Sequence, residues 1–207
     1  MHLTGKTIVV SGGASGLGAA TVEMVVAAGG RAVILDRNAD AARALAARFA
    51  SSVDAFTVDV TSAEDTAAAI REVTARRGAL HGLVCTAGIA VAERVVSKEG
   101  VQPLDHFERV IRINLLGTFN VLRLVAEQLS INVPGDDGER GVIVMTGSIA
   151  AVEGQIGQAA YAASKAGVAG MTLPLAREFA RLGIRVVTIA PGTFDTPLLA
   201  GLPDTTR

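Results

Sequence analysis

Tyr161 and Lys165 stand four residues apart in Tyr161-Ala162-Ala163-Ser164-Lys165, a spacing that puts a phenol and an ammonium on one helical face. A free phenol titrates at about 10, too high for easy proton exchange near neutrality, and a nearby cation is expected to lower that value. The pair reads as a device for moving a proton to or from the oxygen of a ketone or secondary alcohol. Ser148 follows the apolar run Gly141–Thr146 and can donate a hydrogen bond to the same oxygen. Tyr161 is the only tyrosine in the chain, and by itself it is a half-buried helix aromatic as readily as a catalytic group. The weight falls on what else converges on it.

Ser11-Gly12-Gly13-Ala14-Ser15-Gly16-Leu17-Gly18 lies between a short β-branched run and an Ala-rich helical stretch. Gly12, Gly16 and Gly18 allow a tight turn and a close backbone approach to a pyrophosphate, which the helix N-terminus then stabilises. A glycine-rich turn alone is weak evidence. Asp36 strengthens it: 18 residues after Gly18, at the end of the second strand, its carboxylate can accept from ribose hydroxyls and repel a 2′-phosphate, which favours NAD over NADP. Arg37 could pair with such a phosphate, and reads more simply as a solvated helix-entry residue. Asp59 and Val60 follow the third strand, at the sheet edge where an adenine ring is expected.

The elements that position these groups alternate between β-branched runs and helical stretches, the pattern of a doubly wound parallel sheet. Strands are expected at Thr7–Ser11, Arg31–Leu35, Ala55–Val58, Leu83–Thr86, Gly141–Thr146 and Ile184–Ala190. Helices are expected at Gly16–Ala28, Ala39–Ala50, after a Thr61 or Ser62 cap, at Leu104–Ile131 and at Gln158–Arg181. The expected architecture is an α/β Rossmann-like domain over residues 1–207, its strands ordered 3-2-1-4-5-6. The stretch Asn132–Arg140 reads as a polar surface loop.

Composition limits the alternatives. A formal net charge of −1 and 3% aromatics provide neither a field nor stacking platforms for nucleic acid. No apolar run reaches the roughly 20 residues of a membrane span. One cysteine, Cys85, excludes an internal disulfide, and His2, His81 and His106 lack partners at ligand spacing, so no metal is expected. The start of the chain has neither a secretory nor a mitochondrial pattern, and a cytoplasmic location is expected.

Together these residues resemble the short-chain dehydrogenase/reductase family, over essentially the whole chain. The resemblance implies Ser148, Tyr161 and Lys165 as the catalytic set, with Asn114 holding a water and Lys165 in a proton relay. It also implies contacts to NAD from Ser15, Leu17, Thr86, Gly88, Pro191, Phe194 and Thr196, with Asp36, Asp59 and Val60. Ala87-Gly88-Ile89-Ala90-Val91-Ala92, Gly117-Thr118-Phe119-Asn120-Val121, Glu153-Gly154-Gln155 and Ile189-Ala190-Pro191-Gly192 are similar to the branch that oxidises 3-hydroxyacyl-CoA. That likeness implies an acyl-CoA substrate, a role in fatty acid metabolism and a homotetramer. A 3-oxoacyl thioester reductase or hydroxysteroid dehydrogenase uses the same scaffold, and Arg94 and Lys98 are candidate contacts for a CoA phosphate.

The chain departs from the family pattern in three places. Ser11 replaces a threonine and keeps the hydroxyl. Cys85-Thr86-Ala87-Gly88 replaces an Asn-Asn-Ala-Gly motif, so an Asn-mediated tie to the central sheet is expected to be lost. The sequence stops at Arg207, before the family's seventh strand and last helix, which leaves an open strand edge. If that is the native end, low activity, poor stability and an incomplete tetramer contact are expected. A non-catalytic NAD-binding scaffold is then the reading from another class.

Overall fold

The computed structural model describes residues 1–200; Gly201, Leu202 and Pro203, expected to continue the substrate-covering segment, lie outside them. Six parallel strands form one sheet: β1 (Thr7–Ser11), β2 (Arg31–Asp36), β3 (Val53–Thr57), β4 (Gly82–Cys85), β7 (Gly141–Thr146) and β8 (Ile184–Ile189). Their order is β3-β2-β1-β4-β7-β8, the expected one once the small antiparallel hairpin β5 (Val96–Ser97) and β6 (Gly100–Val101) takes its place in the count. Nothing in the apolar pattern had signalled that hairpin; its two-residue strands are exposed.

Period-two side chains sort the sheet into two cores. Val9, Val33, Leu35, Leu83, Ile143 and Met145 face α3 (Ala63–Arg77), α5 (Gly117–Ser130) and α6 (Ala159–Ala180). Ile8, Val10, Ala32 and Ile34 face α1 (Gly16–Ala27) and α2 (Ala39–Ala47). The second layer spans only the β1–β3 half, and on β8 Val187 and Ile189 remain 41% and 47% exposed. Ser62 caps α3, accepting from Asp65 N at 3.1 Å, with Glu64 and Asp65 in the first turn, the polarity a helix start favours.

The helix expected over Leu104–Ile131 is interrupted. α4 (Leu104–Ile111) passes through a π turn at Arg112–Leu116 before α5 begins. Asn114 sits in that turn, fully buried, and its carbonyl accepts from the Thr118 hydroxyl at 2.7 Å. Single π turns commonly mark functional segments of a helix.

Candidate active site

Because every strand of the main sheet runs the same way, all the strand-end loops meet at one edge. They enclose a cleft of about 560 Å³. Gly12, Ser15, Gly16, Leu17, Gly18, Asp36, Asp59, Val60, Thr86, Gly88, Ser148, Tyr161, Lys165, Pro191, Phe194 and Thr196 all line it. Of the catalytic and cofactor residues singled out in the sequence, only Asn114 is outside this lining, while Arg94 and Lys98, the candidate contacts for a CoA phosphate, are exposed and do not line the cleft.

The glycine turn is shaped by its own packing. Gly12 (φ +71°) leaves no room for a side chain, since a Cβ there would meet Ala87 Cα at 2.6 Å. At Gly18 a Cβ would lie 2.1 Å from the Gly12 carbonyl oxygen. Gly16 (φ +52°) is different: a Cβ would meet Thr196 at an ordinary 3.5 Å and Pro197 at 3.8 Å, so the segment around Thr196 closes over the turn. Ser15 caps α1 without a side-chain hydrogen bond, and the first turn carries no acidic residue. The helix start therefore carries no acidic side chain in its own first turn, which fits a pyrophosphate.

Asp36 fastens the same turn from the β2 side. Its Oδ2 accepts from Ala14 N at 3.0 Å and its Oδ1 from Asn38 N at 2.9 Å. Each carboxylate oxygen keeps a further lone pair, so these bonds leave acceptors for ribose hydroxyls. Arg37 lines the cleft beside it. Asp59 turns its Oδ1 to Thr61 N and Oγ1, at 2.9 and 2.8 Å. Asn120 of α5 reaches the Val60 carbonyl at 2.9 Å and so holds the adenine-side edge to the helix.

Ser148 leaves β7 and accepts from Ala150 N at 3.1 Å, which fixes its hydroxyl at the strand end. Tyr161 and Lys165 share the first turns of α6. Lys165 Nζ donates to the Thr146 carbonyl at 2.7 Å and lies 5.8 Å from the centroid of the Tyr161 ring. Burial pushes the lysine down to about 8. It pushes the Tyr161 phenol up, against a smaller opposing effect of its hydrogen bond with Ser148. The expected acidification of the phenol by Lys165 is therefore absent from this arrangement: the ammonium is engaged by the strand carbonyl, and desolvation governs both groups. Thr146 Oγ1, buried without a partner, belongs to another residue of the cleft wall.

Asn114 ties two segments of the site together. Its Oδ1 accepts from Ile89 N at 2.8 Å, while its Nδ2 donates to Ile89 O and to Ser164 Oγ, both at 3.0 Å. Its amide is thus bonded to a cleft loop and to α6. Ser164 in turn donates to the Tyr161 carbonyl at 2.7 Å. The sequence reading missed Ser164. A hydroxyl three residues after Tyr161 signals the local back-bond, but nothing local announces its partner 50 residues away. Ile113, Gln155 and Gln158 also line the cleft without a sequence signal of their own.

Among the described residues no group of three or more His, Cys, Asp or Glu side chains could hold a metal ion, and no helix is long and apolar enough to cross a membrane.

Residues 6–207 match the family model described as short chain dehydrogenase. The chain is 49% identical to 3-hydroxyacyl-CoA dehydrogenase type-2 of Bos taurus, over 98% of this chain and 78% of that protein. The crystal structure of 3-hydroxyacyl-CoA dehydrogenase type-2 from Mycobacterium avium superposes with a TM-score of 0.90 at 44% identity, covering 95% of this chain and 78% of the other. The 3-ketoacyl-(acyl-carrier-protein) reductase of Brucella melitensis, solved in complex with NADH, gives 0.87 at 29% identity, covering 97% and 80%. With the strand order, the glycine turn and the Ser148–Tyr161–Lys165 grouping in one cleft, these matches establish that the chain belongs to the short-chain dehydrogenase family.

Proposed function

We propose that this protein is an NAD-dependent oxidoreductase acting on CH–OH groups, and that it interconverts 3-hydroxyacyl-CoA and 3-oxoacyl-CoA. The observation that carries the reading is the meeting of Ser148, Tyr161 and Lys165 in the same cleft as the bare glycine turn and Asp36. Bound there, the dinucleotide supplies the hydride acceptor or donor. The chain's own groups hold the substrate and move its proton. Ser148 donates to the substrate oxygen; Tyr161 as the phenolate accepts the hydroxyl proton in oxidation, and as the phenol returns it in reduction. Lys165 places a titratable amine beneath the Tyr161 ring. Asp36 and the turn over Gly12–Gly18 hold the adenosine and pyrophosphate, and the loop from Pro191 to Thr196 covers the opposite side.

The acyl-CoA assignment is supported by the names of the Bos taurus and Mycobacterium avium relatives. A role in fatty acid metabolism follows from that substrate. A homo-oligomer, with the tetramer as its expected form, belongs to the same proposal. Leu116, Phe119 and Leu173 leave apolar surface in solvent on neighbouring helical segments, and light scattering of the purified chain measures the state directly. A cytoplasmic setting is also part of it, consistent with an unpaired buried Cys85.

The test is a steady-state assay with acetoacetyl-CoA and NADH. Turnover that falls by about 100-fold or more in Tyr161→Phe supports the enzyme; NADH binding with no turnover in the unaltered chain supports a scaffold instead. Faster turnover of an acyl-carrier-protein thioester or a steroid ketone than of the CoA ester would move the substrate to that class.

A further inference from the structure

Cys85-Thr86 stands where an Asn-mediated tie to the central sheet was expected to be lost. The structure supplies a different tie. Thr86 Oγ1 donates to the Ser11 carbonyl at 2.6 Å and lies 3.3 Å from the Gly12 carbonyl oxygen, while its backbone N–H donates to the same Ser11 oxygen at 2.9 Å. The last carbonyl of β1 is therefore held twice by one residue of the neighbouring strand end.

That hydroxyl also fills a space the turn needs. A Cβ on Gly18 would come within 2.6 Å of Thr86 Oγ1 and 2.1 Å of the Gly12 carbonyl. A Cβ on Gly12 would meet the backbone of Thr86 and Ala87 at 2.9 Å or less. Residues 12, 18 and 86 are thus packed as one unit. Asp36 holds the opposite side of the turn through Ala14 N.

We infer that Thr86 is a positioning residue for the dinucleotide. Its side-chain hydroxyl, rather than the threonine methyl or the backbone alone, clamps the Ser11–Gly12 peptide so that the start of α1 faces a pyrophosphate. The inference rests on the cofactor reading above. It goes further by assigning the clamp to one hydroxyl at the end of β4.

The experiment titrates NADH into the full chain and into Thr86→Val and Thr86→Ser, and measures KM for NADH, kcat and thermal midpoint for each. Thr86→Val keeps the shape and removes the donor; the expected result is a Kd and KM for NADH raised roughly three- to tenfold, the worth of one neutral hydrogen bond, with kcat falling by less. Thr86→Ser keeps the donor and is expected to bind within about twofold of the unaltered chain, since the same bond can form. Three outcomes overturn the clamp: Thr86→Val binding as the unaltered chain does; Thr86→Ser binding as poorly as Thr86→Val; or a drop in thermal midpoint with no change in the KM-to-kcat relation. Failure of the unaltered chain to bind NADH overturns the cofactor reading itself, and the clamp with it.

Discussion

Asn114 and Ser164, both sealed from solvent, share a 3.0 Å hydrogen bond that ties the π turn between α4 and α5 to the helix carrying Tyr161 and Lys165. Through Asn114 the bond extends to both backbone groups of Ile89, in the loop after β4. The buried donors and acceptors along this chain of bonds satisfy one another, so removing one member leaves others unpaired.

Asn114→Ala is accordingly expected to cost roughly 1–3 kcal/mol of stability, because the Ile89 N–H and C=O lose their partner. It is also expected to lower turnover, by loosening the loop that lines the cleft against α6. Urea unfolding with parallel assays measures both. A variant with unchanged unfolding midpoint would remove the structural role given to the side chain.

Lys165 makes stability depend on pH in a definite direction. Its ordinary value of 10.5 is pushed down to about 8 in the fold. Below about pH 8 both folded and unfolded chains hold the proton, and the folded one bears the cost of a buried ammonium. From about 8 to 10.5 the folded chain has released the proton while the unfolded chain keeps it, so this group's contribution to stability rises with pH and then levels off, by on the order of 3 kcal/mol. In Lys165→Met that rise is expected to vanish. Unfolding free energies at the two ends of the window check it, and equal pH slopes in both proteins would refute the assignment.

Gly18→Ala should remove dinucleotide binding. The added methyl would stand 2.1 Å from the Gly12 carbonyl oxygen, and only a shift of the turn can relieve that contact. Overpacking of this kind also costs about 1–3 kcal/mol. Calorimetric titration with NADH is the measurement, and near-normal affinity would mean that the turn deforms without consequence.

Asp36→Ala is expected to reverse part of the preference between cofactors. The substitution removes a ribose acceptor and the charge that repels a 2′-phosphate, while Arg37 remains beside the cleft. The ratio of NAD to NADP affinity is expected to fall by about tenfold or more, since a lost charge-assisted hydrogen bond is worth about 1.5–3 kcal/mol. The variant also leaves Ala14 N without its acceptor, so some loss of affinity for both cofactors accompanies the change. An unaltered ratio would show that the discrimination lies elsewhere.

Much of this molecule was determined by its sequence alone. Short β-branched runs alternating with helical stretches give the strands of a parallel sheet, and that sheet gathers its loop residues at one edge. The glycines of the phosphate turn, Asp36, Ser148, Tyr161 and Lys165 were legible because each carries a local signal: a spacing, a strand end, a helical face. What lay beyond the sequence was non-local. The hairpin at Val96–Val101 has no periodicity long enough to read, and the π turn depends on partners distant along the chain. Tertiary structure alone decided that Asn114 binds Ile89 and Ser164, that Lys165 donates to the Thr146 carbonyl, and that Thr86 takes over the tie to Ser11 and Gly12. The reason is physical: pattern fixes which face of an element is buried, whereas a buried polar atom's partner is whichever complementary group packing brings within about 3 Å.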